Sequence, residues 1–348
     1  MLKILAPQGE VFPYLENAKR FLQAGAGANP ADYYVEVFNA YLPIPFAWKY
    51  DGEGVGKFLV EYARKEDFSD AIMVEVAGDK REVALYNLYK ASDYFTRVTA
   101  LDKDGNMLER AFGTFQTTLL GPRVMNIDGI FNVRDIGGYT SLDGQTVLQG
   151  VAYRGGALNV PLGEWSYRSE LSDEGKRYMS ETLGIKAELD FRPEKETGRD
   201  FAGGSVIPGA SFTNILADGY EKIFVAPYCE GYRKVFSFLA DKGNYPLYMH
   251  CTAGADRTGT VSFLLLAMLG VSELECRQDY AFTSFSVYGL RGEYVGENAG
   301  RYREMIRLLK TFDGETLQEQ TKNYLLSIGV TKEEISSIEG IFFGENTD

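Results

Sequence analysis

The sequence predicts two folds in one chain: an all-β sandwich, followed by an α/β domain with a central, largely parallel sheet flanked by helices. Three observations lead there. From about residue 33 to 118, short β-rich segments alternate with Asp/Gly turns about every 8 to 15 residues, the spacing of an antiparallel sandwich. After Pro122, apolar strands alternate with stretches of helical periodicity, which implies a parallel sheet covered on its faces. The 348 residues, 45% hydrophobic and 24% charged, suit two ordinary folded domains and exclude wholesale disorder.

Taken in order, residues 1–30 read as an N-terminal segment and linker. A short helical pattern (Leu15, Ala18, Lys19, Leu22) runs into a Gly/Ala/Pro stretch at 24–30. The sandwich is expected over 31–120, with strands at 46–50, 58–62, 72–76, 94–100 and 111–115 and Trp48 on the first of these. Residues 51–57 invite a phosphate-loop reading but fail the Walker spacing: Asp51 stands where a glycine is needed, and no Ser or Thr follows Lys57. A turn between strands is the better reading. Within 121–348, residues 187–191 and 247–249 read as buried strands, and 258–269, 302–311 and 316–327 as helices. A short helix at 330–335 carries Thr331 as N-cap and Glu334 as its capping-box partner.

Composition removes several functions. A net charge of −13 repels a polyphosphate backbone, so no nucleic-acid partner is expected. The longest charge-free apolar run, 258–272, is too short to span a bilayer. Cys229, Cys251 and Cys276 form neither a disulfide framework nor a zinc pattern. The one histidine, His250, excludes mechanisms that need a His cluster or a separate His base. It stands beside Cys251.

The segment from 245 reads Tyr-Pro-Leu-Tyr-Met-His-Cys-Thr-Ala-Gly-Ala-Asp-Arg-Thr-Gly and then enters a long apolar helix. A strand ends at His250, a tight loop follows, and a helix starts near Arg257. The N–H groups of such a loop lack intrahelical partners and converge, and the helix adds about half a positive charge. Thr252, Ala253, Gly254 and Ala255 are therefore expected to hold a phosphate-sized anion, with Gly254 permitting close backbone approach. At the mouth, Cys251 is favoured as thiolate, the nucleophilic form. Arg257 offers a planar fork to two phosphoryl oxygens, and Thr258 can donate its hydroxyl to the sulfur. The bare Cys-x5-Arg spacing is common by chance. The full string at a strand-to-helix junction is not.

These residues resemble the cysteine-dependent protein tyrosine and lipid phosphatases, in particular the bacterial branch whose loop reads His-Cys-x-Ala-Gly-Lys-Asp-Arg-Thr-Gly. Three further segments are similar: Asn132-Val-Arg134-Asp135-Ile-Gly-Gly, Tyr153-Arg154-Gly155-Gly156-Ala-Leu in place of Tyr-Arg-Ser-Gly-x-Leu, and Leu189-Asp190-Phe-Arg192-Pro-Glu-Lys195-Glu196. The similarity covers about 122–340. The 31–120 region resembles a fibronectin type III module in pattern only.

The resemblance implies a phosphomonoesterase that forms a cysteinyl-phosphate on Cys251 and needs neither metal nor cofactor. Its general acid is Asp256, inside the loop; Asp218 is the alternative, on a separate acid loop. Arg134, Asp135 and Arg154 brace the loop or touch substrate, His250 supports it, and Asp190 either touches substrate, supports the residues that do, or is structural. Ala255 departs from the family's lysine, which removes a rim cation and weighs against a preference for phosphoinositides or other polyphosphates. A phosphorylated protein or small phosphomonoester is the expected substrate, and the sandwich is a candidate site for a protein partner. The competing readings are a phosphoinositide or inositol phosphate phosphatase on the same loop, a phospho-ligand-binding protein with weak turnover, and another Cys-loop enzyme such as a sulfur transferase or arsenate reductase. The N-terminus shows no secretory pattern, and a reactive thiol suits the cytoplasm; secretion stays open if a leader precedes these residues.

Overall fold

The computed structural model describes residues 1–35, 42–160, 169–197 and 204–344. The chain divides into two compact units, one of Met1–Leu15 with Tyr41–Leu120 and one of Glu16–Ala40 with Gly121–Asp348.

In the first unit, β1 (Leu2–Ala6), β3 (Ile44–Tyr50) and β6 (Glu82–Leu85) form one sheet in the order β1-β3-β6. The other sheet has β2 (Glu10–Val11), β4 (Val55–Ala63), β5 (Ile72–Ala77), β7 (Asp93–Asp102) and β8 (Met107–Thr117) in the order β2-β8-β7-β4-β5. Period-2 alternation sets which face is buried: Ile44, Phe46 and Trp48 point inward from β3, and the Trp48 ring meets Phe58 edge-on at 5.1 Å. The β7–β8 turn is held by Asp102, whose Oδ1 accepts the amides of Asp104 and Asn106. Residues 51–57 include no phosphate cradle; Val55 onward is strand β4.

The opening residues hold more structure than the sequence reading expects: the helical pattern at 15–22 forms a helix, and a strand stands before it. Leu2 and Ile4 face the sandwich core and pair with Tyr50 and Trp48, so β1 is part of the sheet. The helix α1 (Glu16–Ala24) belongs to the other unit. It buries Ala18, Phe21 and Leu22, with Phe21 against Phe285 at 5.3 Å, and Gln278 Nε2 caps its Leu22 carbonyl at 3.0 Å.

The second unit is built on a six-stranded sheet. Its strands are β9 (Arg123–Val124), β10 (Arg134–Asp135), β11 (Ala152–Gly155), β14 (Ala187–Asp190), β15 (Ser211–Asn214) and β16 (Leu247–His250), ordered β15-β14-β16-β11-β10-β9. The pair β12 (Asn159–Val160) and β13 (Ser169–Glu170) stands apart. The four strands β15, β14, β16 and β11 run parallel, and β10 and β9 close the edge antiparallel. After the short α2 (Asp173–Arg177) and α3 (Glu194–Thr197) come α4 (Tyr228–Leu239), α5 (Arg257–Met268), α6 (Glu273–Ala281), α7 (Ala299–Leu309), α8 (Leu317–Ser327) and α9 (Lys332–Phe343). From Thr258 on, every residue of α5 is buried, which is why its sequence is apolar all round rather than striped. Thr331 and Glu334 form the expected capping box at α9, and Thr316 with Glu319 forms another at α8. No helix among the described residues is long and apolar enough to cross a membrane.

Candidate active site

Strand β16 is fully buried between β11 and β14, so the chain leaves the sheet at its C-terminal edge with Cys251, where parallel α/β sheets place their sites. The loop then turns at Gly254, which has φ +64°; a Cβ there would lie 2.1 Å from the Gly155 carbonyl oxygen. Only glycine fits.

The scaffold grips three consecutive loop carbonyls. Ala157 N–H donates to Thr252 O (2.9 Å), Asn132 Nδ2 to Ala253 O (3.0 Å) and Arg154 Nη2 to Gly254 O (2.7 Å). Each peptide's N–H points opposite to its C=O, so the amides that follow face the other way. Among the described residues, none of the N–H groups of 252–256 has an acceptor. The outcome is a concave row of free donors at the start of α5, an anion nest.

A network of buried charge holds the grip in place. Asp279, on α6, takes Arg154 Nη1 at 2.5 Å and Arg134 Nε at 3.2 Å, and Arg134 also bonds Asn132 Oδ1. Burial, then repulsion from Arg154, pushes Arg134 down to about 10. Burial would raise Asp279, yet Arg154 and Arg134 outweigh it and hold the carboxyl below its ordinary range. Asp135 is buried and bonds Arg123 (2.8 Å) and the amides of Gly137 and Gly150; burial wins there and pushes its carboxyl up. None of Arg134, Asp135 and Arg154 lines the cleft; Arg154 bonds the loop directly and Arg134 through Asn132, whereas Asp135 is bound to Arg123 and to the amides of Gly137 and Gly150 and does not touch the loop. His250 is buried, with Nε2 3.1 Å from Glu188 Oε1 and Nδ1 3.2 Å from the Cys251 carbonyl.

Cys251, Thr252, Ala253, Asp256 and Arg257 line one cleft of about 440 Å³, completed by Lys195, Glu196, Tyr288, Arg291 and Glu297. Arg257 Nη2 lies 2.7 Å from Glu196 Oε2. Burial opposes the charge of Arg257, but Cys251 and Glu196 outweigh it and hold the guanidinium above its ordinary value. Asp256 accepts from Arg291 Nε (2.9 Å), from Asn298 Nδ2 (3.3 Å) and from the Tyr220 hydroxyl.

Four expectations need correction. Asp190 is fully buried, with both carboxylate oxygens held by Arg192, so it offers nothing to a substrate. The Ala255 side chain is fully buried, not on a rim; among the described residues the cations along the cleft are Lys195, Arg257 and Arg291. The Thr258 hydroxyl is buried and makes no hydrogen bond among the described residues, so its contact to the sulfur is not formed. Asp218 turns to Lys222 at 2.5 Å and is absent from the cleft lining; burial would raise its carboxyl, but Lys222 and the Gly219 amide hold it low.

Sequence reasoning missed Asp279, Tyr220, Arg291 and Glu196. Glu196 stood inside a quoted motif without a role, and the other three carried no local signal. Glu188, Asp190 and His250 place one ligand atom each within 4.8 Å of one another, a grouping able to hold a metal ion. Their atoms are committed to one another, to Ser205 and to Arg192, which fits loop support better.

The chain is similar to several known proteins. A Cupriavidus necator protein provisionally named a tyrosine-protein phosphatase is 28% identical over 182 residues, covering 46% of this chain and 63% of that protein's length. The core catalytic domain of a PP-IP phosphatase of S. cerevisiae is similar over 53% of this chain and 86% of its own, at 15% identity and a TM-score of 0.29. The fn3 domain of human collagen alpha-1(XX) is similar over 24% of this chain and 77% of its own, at 24% identity and a TM-score of 0.20. The model of the tyrosine phosphatase family matches residues 125–341, well over half of the chain and all of the elements that build the cleft. The chain belongs to the tyrosine phosphatase family.

Proposed function

We propose that this chain is a phosphomonoesterase that works through a cysteinyl-phosphate on Cys251, with phosphotyrosine-type monoesters as its substrate class. The observation that carries the reading is the convergence on one cleft of Cys251, Arg257 and Asp256 around unpaired loop amides. A dianionic phosphate entering the nest takes the N–H groups of 253–255 and the Arg257 fork, from which it displaces Glu196. The sulfur attacks phosphorus as the P–O bond to the leaving group breaks, and Asp256 gives that oxygen a proton. Water then cleaves the S–P bond and returns a proton to Asp256. Among the described residues lining the cleft, Glu196 and Glu297 offset two of the three cations Lys195, Arg257 and Arg291, so little net positive charge is left to hold a second phosphate, which supports monoesters over polyphosphates.

The test is turnover of p-nitrophenyl phosphate in the presence of EDTA. Cys251→Ser is expected to lose at least about 10⁴-fold in kcat while still binding phosphotyrosine ligands. Arg257→Ala should lose binding and turnover together. Substantial activity in Cys251→Ser, or EDTA inhibition reversed only by added metal, would overturn the mechanism.

A further inference from the structure

Tyr220 is out of place by the rules of backbone conformation. It is a bulky, buried residue at φ +66°, while the glycine beside it, Gly219, lies at φ −97° and leaves the left-handed region unused. A bulky non-glycine residue in that region is uncommon and persists only where its surroundings over-determine it. Here they do. The Tyr220 amide donates to Thr260 Oγ1 on α5 at 3.0 Å, and its ring packs edge-on against Tyr280 and Tyr302. Its hydroxyl meets the Tyr280 hydroxyl at 2.7 Å and donates to Asp256 Oδ1.

The donors to Asp256 are unequally shared. Among the described residues, Oδ1 receives Tyr220, Arg291 Nε and Asn298 Nδ2, whereas Oδ2 receives only Arg291 Nη2 at 3.4 Å. Arg291 is itself anchored, since Ser284 Oγ both accepts its amide and donates to its carbonyl at 2.8 Å. In a carboxylic acid the carbonyl oxygen accepts hydrogen bonds while the other oxygen carries the hydrogen. An oxygen with three donors is the carbonyl-like one.

We propose that Tyr220, together with Arg291, is a positioning residue for Asp256: the two fix Oδ1 and leave Oδ2 to carry the proton that goes to the leaving group. This rests on the reading of Asp256 as the acid. As the S–P bond forms and the ester P–O bond breaks, the Oδ2 proton passes to the departing oxygen. The carboxylate then takes a proton from the water that hydrolyses the cysteinyl-phosphate. Burial, then the neighbouring Tyr280 and Asp256, holds the Tyr220 phenol far above its ordinary value, so it stays a donor throughout.

The experiment compares phenyl phosphate, a poor leaving group, with p-nitrophenyl phosphate, a good one, in the full chain. General acid catalysis contributes roughly 10²–10⁴-fold, and misalignment forfeits part of it. Tyr220→Phe keeps the ring and is expected to lower kcat on phenyl phosphate about 10- to 30-fold, and on p-nitrophenyl phosphate less than about 3-fold, with KM little changed. Arg291→Lys, which keeps the charge but not the two-nitrogen grip, should split the substrates in the same direction. In an Asp256→Asn background, Tyr220→Phe should add no further split, because the group it positions is gone. Equal loss on both substrates, or a split that survives in that background, overturns the positioning role. If Asp256→Asn shows no leaving-group dependence, the acid reading itself falls, and the inference with it.

Discussion

The two units bury charge very differently. Among the described residues, the sandwich buries two charged side chains, Glu61 and Lys90. The α/β unit buries Arg123, Arg134, Asp135, Arg154, Glu188, Asp190, Arg192, His250 and Asp279, and most of them stand behind one loop. Burying ions costs desolvation that pairing only partly offsets, so they are weak evidence of stability. What they supply here is fixed direction. Arg154 and, through Asn132, Arg134 hold loop carbonyls outward, and so the amides inward. An apolar core such as that around Trp48 fills space well, but it cannot aim a peptide dipole.

The largest expected effect tests that contrast directly. Asp279→Asn leaves two buried guanidiniums with a neutral partner and should destabilise the fold by about 3–5 kcal/mol. The loop also loosens, so kcat/KM on folded protein should fall at least about tenfold. Trp48→Ala in the sandwich should cost a similar 3–5 kcal/mol through its cavity and leave kcat unchanged. The pH dependence separates them further. The Asp279 carboxyl is depressed, so its stabilisation is complete above the unfolded value of about 3.9 and is lost as pH falls through the folded value. The Tm gap between the parent and Asp279→Asn should therefore be widest at neutral pH and narrow below about pH 4. A gap independent of pH would mean that packing, not charge, is what Asp279 contributes.

A smaller effect on stability comes from two glycines that share a backbone conformation but differ in surroundings. Gly105 in the sandwich turn has φ +86° with nothing within 4 Å of a would-be Cβ, whereas at Gly254 the Gly155 carbonyl stands 2.1 Å away. Gly105→Ala should cost about 1 kcal/mol of stability and no activity. Gly254→Ala must displace the loop, and a misplacement near 1 Å costs about 100-fold in kcat/KM. Equal behaviour of the two would show that the nest tolerates movement.

Legibility followed the same divide between local and distant determinants. Cys251, Gly254 and Arg257 lie within seven residues, and the strand before and helix after them fix their geometry, so the loop could be read from sequence. Strands at 187–191 and 247–249 announced themselves as apolar runs. Glu82–Leu85 did not, because Glu, Ala and Leu favour helix; it is a strand because Ile44–Tyr50 offers it an edge, with Ile44 opposite Leu85. Leu2–Ala6 has only two inward apolar residues before its partner lies more than forty positions on. Asp279 meets Arg154 across 125 positions, and Tyr220 and Arg291 reach Asp256 across 36 and 35, distances at which no periodicity or spacing carries information. The rim place given to the side chain of residue 255 and the substrate contact given to Asp190 failed for another reason. The place of both residues in the chain was read correctly, but burial faces them away from the cleft.

The smallest expected effect concerns Lys195, the exposed cation among the described residues that line the cleft. Lys195 stands on α3 beside Glu196, without the clamps that fix Arg257 and Arg291. An exposed ammonium acts through water and is screened within about 10 Å at 0.1 M salt, so it steers and tunes rather than aligns. Lys195→Ala should leave p-nitrophenyl phosphate turnover unchanged. On a substrate with a second phosphate it should lower kcat/KM about two- to fivefold at low salt, and the difference should vanish at high salt. The measurement is kcat/KM for a phosphotyrosine peptide and for an inositol bisphosphate, in both forms at two ionic strengths. A salt-independent loss exceeding tenfold would place Lys195 among the aligned charges of the cleft. Preference for the bisphosphate in the parent chain would go further: it would reverse the proposed monoester preference and make the exposed edge, not the buried network, the determinant of substrate choice.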